Sequence, residues 1–358
     1  MSPSIKNIFM MISIAVIIGG TSGILASSFT DNYLAQYASS LNELTQPIRI
    51  AQEKPRAIPQ TYELALDKIR KISLPSVGAL FGATIPYLGF AENDKRSGVV
   101  AMTSDGWMLS GAGALSSTVS ISDKTCAVDK SIKDNATGIY FLHCDINGLP
   151  VVDFGDGYSL KPGDQIFISD GPHRLFFTQI VSVDWGGVSA RSSDTPARRF
   201  TISENFNLLP GAVAFNLSGE IIGVVDASSN GKSFIPFEHL SGAFKSVLGG
   251  SEKINRAALG VRFVDLARAV GLQDARSRFL RSGALVAGSP AVKWGSAAHT
   301  AGILAGDIIL AIDGVNIDAD RSLDDLVATY SPGDKARVLV DRDSEHLDLD
   351  VTFGTAFE

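Results

Sequence analysis

Cysteine is nearly absent: Cys126 and Cys144 are the only two in 358 residues. So small a number excludes a disulfide-dense scaffold and cannot by itself close a tetrahedral metal site, although it leaves room for one bridge. Histidine is sparse as well. His143, His173, His239, His299 and His346 are scattered, with no paired spacing and no carboxylate cluster to complete a site, so neither a metal nor another cofactor is expected. Long Lys/Arg clusters are missing and the formal net charge is -7, which removes the phosphate-neutralising surface that nucleic-acid binding needs. Glycine-rich stretches such as "GDGYSLKPG" lack the Gly-Lys-Ser/Thr ending of a phosphate loop and sit between strands, so they read as turns.

What is abundant is apolar residues and turn formers. The chain is 45% hydrophobic and 19% charged, with 35 glycines and 14 prolines, a composition suited to a turn-rich β protein. Its length exceeds one compact core and predicts two globular domains plus an appendage. That appendage opens the chain: between Lys6 and Asp31 runs the uncharged "NIFMMISIAVIIGGTSGILASSFT", long enough to cross a bilayer as a helix of about 20 residues. A cleaved signal peptide is the alternative, with Ala26, Ser27 and Ser28 as small residues for processing. Lys6 precedes the span while Asp31 and Glu43 follow it, so a single-pass anchor in the inner membrane with the body outside the cytoplasm is expected. That compartment permits a Cys126–Cys144 disulfide. A turn at Asp134 and Asn135 lies midway between the two and would place them roughly opposite in a hairpin; two buried free thiols are the other reading.

After the anchor (residues 1–30), residues 31–73 read as a stalk broken by Pro47, Pro55 and Pro59, then a helix carrying Tyr62, Ala65, Leu66, Ile69 and Ile72 at helical spacing. Residues 74–250 alternate short runs such as "SGVVAM", "GIYFLHC", "DQIFISD" and "EIIGVVDA" with turn clusters, the pattern of a barrel or sandwich. They close on the helical "FEHLSGAFKSVLGG". Residues 256–356 form a separate β-rich module containing "GDIILAIDG" and the helix "SLDDLVATYSPG".

This order resembles the HtrA/Deg family of trypsin-like serine proteases with a C-terminal PDZ domain. "SGVVAMTSDGWMLSGAGAL" is similar to the family's Gly-Ser-Gly-Val-Ile…Asp-Gly-Tyr-Ile-Leu-Thr-Asn-Ala-His-Val-Val block, "NLSGEIIGVV" to its Asn-Leu-Xaa-Gly-Glu-Val-Ile-Gly, and "SFIPFEHL" to its Phe-Ala-Ile-Pro segment. "GILAGDIILAIDG" is the strongest PDZ-like stretch. The resemblance implies a mainly β fold: a chymotrypsin-like double β-barrel followed by a PDZ domain, with the transmembrane helix in front.

A protease of this type needs a serine nucleophile, an imidazole base, an orienting carboxylate and oxyanion donors. At the matching positions stand Gly113 for the histidine, Gly138 for the aspartate and Ala212 in a nucleophile loop that is about three residues shorter than the family's. The expectation is therefore no conventional catalysis. A relocated site would draw on His143, Asp134, Asp145, Ser110, Ser116 and Ser117; the bland reading makes these loop residues and a strand-end histidine.

A PDZ domain adds an extended peptide to a sheet edge and holds the terminal carboxylate on loop amides. By resemblance that loop is Leu259, Gly260 and Val261, followed by Arg262 and Phe263, with Leu323, Leu326 and Val327 facing it as pocket or as core. The longer segment around Trp294 and His299 is an insertion or a partner surface. The leading expectation is a pseudoprotease that binds protein C-termini or unfolded peptides, as scaffold or regulator in protein quality control. Active HtrA-type proteases are expected partners and a homotrimer is a possible assembly. The alternatives are an active serine endopeptidase and a structural subunit of a homo- or hetero-oligomer.

Overall fold

Short Val/Ile/Phe-rich runs between Gly, Asp and Asn turns build antiparallel sheets throughout the chain, as β-branched and aromatic residues favour. The computed structural model describes residues 62–86, 89–186, 190–229, 231–271 and 280–356. Residues from Gln60 onward form one compact unit.

The first sheet contains β1 (Val77–Leu80), β2 (Ser97–Ala101), β3 (Trp107–Ser110), β4 (Thr118–Ile121), β5 (Lys124–Ala127), β6 (Lys130–Lys133) and β7 (Tyr140–His143), in the order β5-β4-β1-β2-β3-β7-β6. The second set comprises β8 (Gln165–Gly171), β9 (Arg174–Asp184), β11 (Arg199–Ile202), β12 (Val213–Phe215), β13 (Ile221–Val225) and β14 (Ser233–Pro236), closed into a barrel. Val100, Leu109 and Phe141 of the first sheet share one core with Phe167, Val213 and Phe215 of the second. Burying an aromatic such as Phe141 or Phe215 contributes about 1.5–3 kcal/mol, so this shared layer fixes the two sheets together.

Helix α1 (Tyr62–Lys68) and helix α2 (Glu238–Leu248) flank that layer; Ala65, Leu240 and Val247 are buried in it. The periodicity of α1 predicts that Ile72 docks too. It does not: the chain widens into a π turn at Ile69–Ser73, which carries Ile72 out to 53% exposure while Ile69 stays buried.

The C-terminal module holds β15 (Ala257–Ala258), β16 (Arg262–Asp265), β17 (Ala284–Val286), α3 (Ala297–Ala301), β18 (Ile308–Ile312), β19 (Val315–Asn316), α4 (Leu323–Val327), β20 (Lys335–Arg342), β21 (Glu345–Thr352) and β22 (Gly354–Thr355). Its core gathers Leu259, Phe263, Ile309, Leu323, Val338 and Phe353. One strand of its sheet comes from elsewhere. β10 (Arg191–Ser192) leaves the connection between β9 and β11 and pairs antiparallel with β16.

Two expectations are corrected. The first sheet does not close by its strand ladder, since β5 and β6 lie at its two ends. And Cys126 and Cys144 do not face each other across a hairpin: in the β6–β7 hairpin Lys130 stands opposite His143, whereas Cys126 belongs to β5 and pairs with Val119. The two cysteines are nevertheless disulfide-bonded, with Cα atoms 6.0 Å apart, so the bridge ties one end of the sheet to the strand next to the other. The expected membrane-spanning or signal segment and the stalk lie outside the described residues; among those described, no helix is long and apolar enough to cross a membrane.

Candidate functional site

The ends of β2 and β3 meet the Pro210–Gly211 turn where the two sheets face each other. Gly98 N donates to Pro210 O at 2.8 Å, and Ser97 Oγ donates to the same oxygen at 2.8 Å. Gly111 N donates to Ser97 Oγ at 3.0 Å, and the hydroxyls of Ser97 and Ser110 are 2.9 Å apart. Backbone lies against backbone here: a Cβ built on Gly111 would come within 2.2 Å of Gly211 N, and one on Gly211 within 2.3 Å of Gly98 O. Gly211 also has φ +78°, a conformation that side chains disfavour.

The three positions aligned with a catalytic triad hold Gly113, Gly138 and Ala212, none with a side chain that could carry a proton or act as a nucleophile. A Cβ on Gly113 would strike the Tyr140 ring at 2.3 Å and Ser131 Oγ at 2.5 Å. Gly138 closes the β6–β7 turn, its N–H bonded to Asp134 O at 2.7 Å. Ala212 is fully buried in the core of the second barrel with Ile168 and Phe234. Of the alternative set, Ser110 does not stand beside His143. His143 Nδ1 lies 2.7 Å from Asp129 and the ring packs on Trp107, while register on β3 puts Ser110 opposite Tyr140, three residues away from the Trp107–His143 pair. Asp134 is bound to Arg256, and the Ser110 hydroxyl is buried among Ser97 and Gly98 O. A nucleophile there has no imidazole to take its proton.

The second candidate is the groove between β16 and α4. Gly260, at φ +83°, turns the chain so that successive amides converge on one point. A Cβ there would lie 2.3 Å from Cβ of Ser296. The amides of Leu259 and Gly260 both donate to Oδ1 of Asp194 at 2.9 Å, and Val261 N donates to Ser193 Oγ at 3.2 Å. Ser193 N returns a bond to Val261 O at 2.9 Å, Ser192 pairs with Arg262, and Arg191 pairs with Phe263. The Arg191 guanidinium lies over the Phe263 ring at 5.0 Å and contacts Ser322, Asp324 at 3.1 Å and Asp265 at 3.5 Å. Leu323, Leu326 and Val327 are buried in the module's core. A cavity of about 10 Å³ remains beside residues 193–196, lined by Ser193, Asp194, Pro196, Gly242 of α2 and Val327 of α4 among others. Trp294 is 85% exposed beside this loop and packs against His299.

Beneath the groove a buried polar cluster joins the two modules. Asp325, at the start of α4, has no exposed surface. Its carboxylate meets His239 Nε2 at 2.8 Å and accepts from Trp185 Nε1 at 3.2 Å and Ser322 N at 3.0 Å, with Arg198 Nη1 at 3.8 Å. Burial alone would push this carboxyl up, but the His239 hydrogen bond and the His239 and Arg198 charges outweigh it and hold it below its ordinary value. Burial next to Asp325 raises Asp324, and burial lowers the Arg198 guanidinium. Burial likewise pushes Glu238 up to about 7, helped by the charge of Asp156.

Sequence reasoning missed Asp194, Arg191, Arg198, His239 and Asp325. The only available signal was the turn-forming "SSDTP" in an arginine-containing loop, which marks a bend and not a destination.

Comparison with known proteins follows the same outline. Residues 257–353 match the PDZ domain family. A probable periplasmic serine endoprotease, DegP-like, of Halomonas elongata is 28% identical over 298 residues, which are 77% of this chain and 61% of that protein. Its counterpart in Pseudomonas fulva is 30% identical over 274 residues, 71% of this chain and 54% of that protein. The chain thus spans about 60% of the length of the first of these curated relatives. Among solved structures, an HtrA-type protease, AlgW, with a tripeptide aligns with TM-score 0.55 at 20% identity, covering 84% of this chain and 98% of that one. The same protease with a decapeptide aligns with TM-score 0.51 at 19% identity, over 82% and 99% of the two chains. Both show a shared fold.

Proposed function

We propose, from the premise that this chain belongs to the HtrA-type family of proteases with a C-terminal PDZ domain, that it is a non-catalytic member which binds extended peptides or protein C-termini. Its globular part would work outside the cytoplasm, held at the inner membrane by the apolar segment near Lys6, as a scaffold or regulator of active proteases in protein quality control. One observation carries the non-catalytic part: at the position matching the histidine, a Cβ on Gly113 would already lie 2.3 Å from the Tyr140 ring and 2.5 Å from Ser131 Oγ, and Ala212, at the nucleophile position, is fully buried. The PDZ match and the peptide-bound relatives support the binding part.

Casein degradation and labelling with a fluorophosphonate test the reading. Neither turnover nor labelling above the level of a heat-denatured control is expected; stoichiometric labelling of one serine would make the protein an endopeptidase after all.

A further inference from the structure

The amides that would hold a peptide's terminal carboxylate are already engaged by the chain itself. Residues 191–194 enter the groove antiparallel to β16, as an added strand would, and end with a carboxylate at the amides of Leu259 and Gly260. Everything about the segment is ligand-like except its source. Arg191 stands three residues before the carboxylate, its cation over Phe263 and between the acids Asp265 and Asp324. The fit is also improvable. One oxygen of Asp194 serves two amides, and the third, Val261 N, has only the neutral Ser193 hydroxyl at 3.2 Å. A terminal carboxylate brings two charged oxygens to the same three donors, and charged acceptors make the stronger hydrogen bonds.

We propose that residues 191–194 are the resident occupant of the groove and a template of what replaces them: an extended C-terminal peptide with a free carboxylate and a cationic residue three positions earlier. The inference rests on the peptide-binding reading above and adds to it a gate and a specificity. Apparent affinity is then reduced by the fraction of molecules whose groove is open, and releasing the occupant restores it. Because the segment is the connection between β9 and β11, displacing it also changes what packs on the second barrel.

The test uses the full chain, a fluorescein-labelled octapeptide ending in Arg-Ser-Ser-Ala with a free carboxylate, its amidated twin, and a version with Glu in place of Arg. Asp194→Ala should tighten binding of the free acid by about tenfold or more by anisotropy, with amidation or the Glu exchange costing about tenfold each. Without peptide, the same substitution should accelerate hydrogen exchange at the amides of Leu259 and Gly260. Asp194 is only partly buried, and the near-isosteric Asp194→Asn serves as a second variant, expected to shift both readouts the same way. Equal affinity of wild type and both variants, or exchange unmoved by either, overturns the proposal. If no form binds any peptide while exchange accelerates, the peptide-binding reading itself falls and displacement with it, leaving only the intramolecular contact.

Discussion

Replacing Asp325 with alanine should loosen the joint between the barrel and the C-terminal module, and the size of the effect follows from its contacts. The substitution removes the acceptor for Trp185 Nε1, Ser322 N and the His239 ring; Ser322 and His239 are fully buried, as is the Asp325 side chain, while Trp185 is partly buried. At about 1 kcal/mol per lost hydrogen bond this comes to about 3 kcal/mol. The charge argument agrees: breaking a buried ion pair by removing one partner costs about 3–5 kcal/mol. Arg198, itself 2% exposed, is cushioned by Asp320 O at 2.6 Å, Tyr158 O at 2.8 Å and the Trp185 and Tyr158 rings, which favours the lower figure. Asp325→Asn keeps an oxygen acceptor while losing the charge, and should cost about half as much. Urea unfolding at neutral pH is the assay, followed by far-UV circular dichroism and by tryptophan emission, to which Trp185 at the joint contributes. Asp325→Ala should lower the unfolding free energy by about 3 kcal/mol and separate the two probes' midpoints, since the modules no longer melt as one. A loss below about 1 kcal/mol with coincident midpoints would show that the cluster does not hold the modules together.

Two other perturbations have defined outcomes. Burial pushes Glu238 up to about 7 from its ordinary 4.5, so the folded state holds its proton more tightly. Stability from this group is full below about pH 4.5 and is lost as pH rises through 7, at most about 3 kcal/mol. Glu238→Gln should flatten that slope in unfolding measured from pH 5 to 8, and an unchanged slope would assign it to other groups. The Cys126–Cys144 bridge spans 18 positions, for which loop-closure entropy gives about 3 kcal/mol. Cys126→Ala with Cys144→Ala should lower unfolding stability by that amount, and a loss under about 1 kcal/mol would mean the sheet ends are held by their packing alone.

The strands and the order of the modules were legible because each is a local pattern. "GDIILAIDG" becomes β18 and its flanking turns, and "FEHLSGAFKSVL" becomes α2, since alternation and helical spacing are written within a dozen residues. The joint between modules was not legible. His239 and Asp325 are 86 positions apart and Arg191 and Asp324 are 133 apart, and in isolation each acid or base reads as a solvated side chain. "SLDDLVATY" looks like a helix with two acids facing water, yet Asp324 and Asp325 are both buried. The Leu259–Val261 loop was named by resemblance alone, while the segment that pairs with β16 was hidden because two residues of strand inside a turn-rich loop carry no period. The close approach of backbone at Gly98, Gly111 and Gly211 was not legible either, because it joins residues a hundred or more positions apart.

The loan of β10 to the neighbouring sheet has a practical side. Cutting the chain in the linker near Gly250 would yield a C-terminal piece short of one strand, with β16 as a raw edge and three unbonded amides at its tip. Such a piece would be sticky, and on the gating proposed above it would bind peptides more tightly than the intact molecule. Dissection, the usual way of studying a modular protein, would here remove the property being measured.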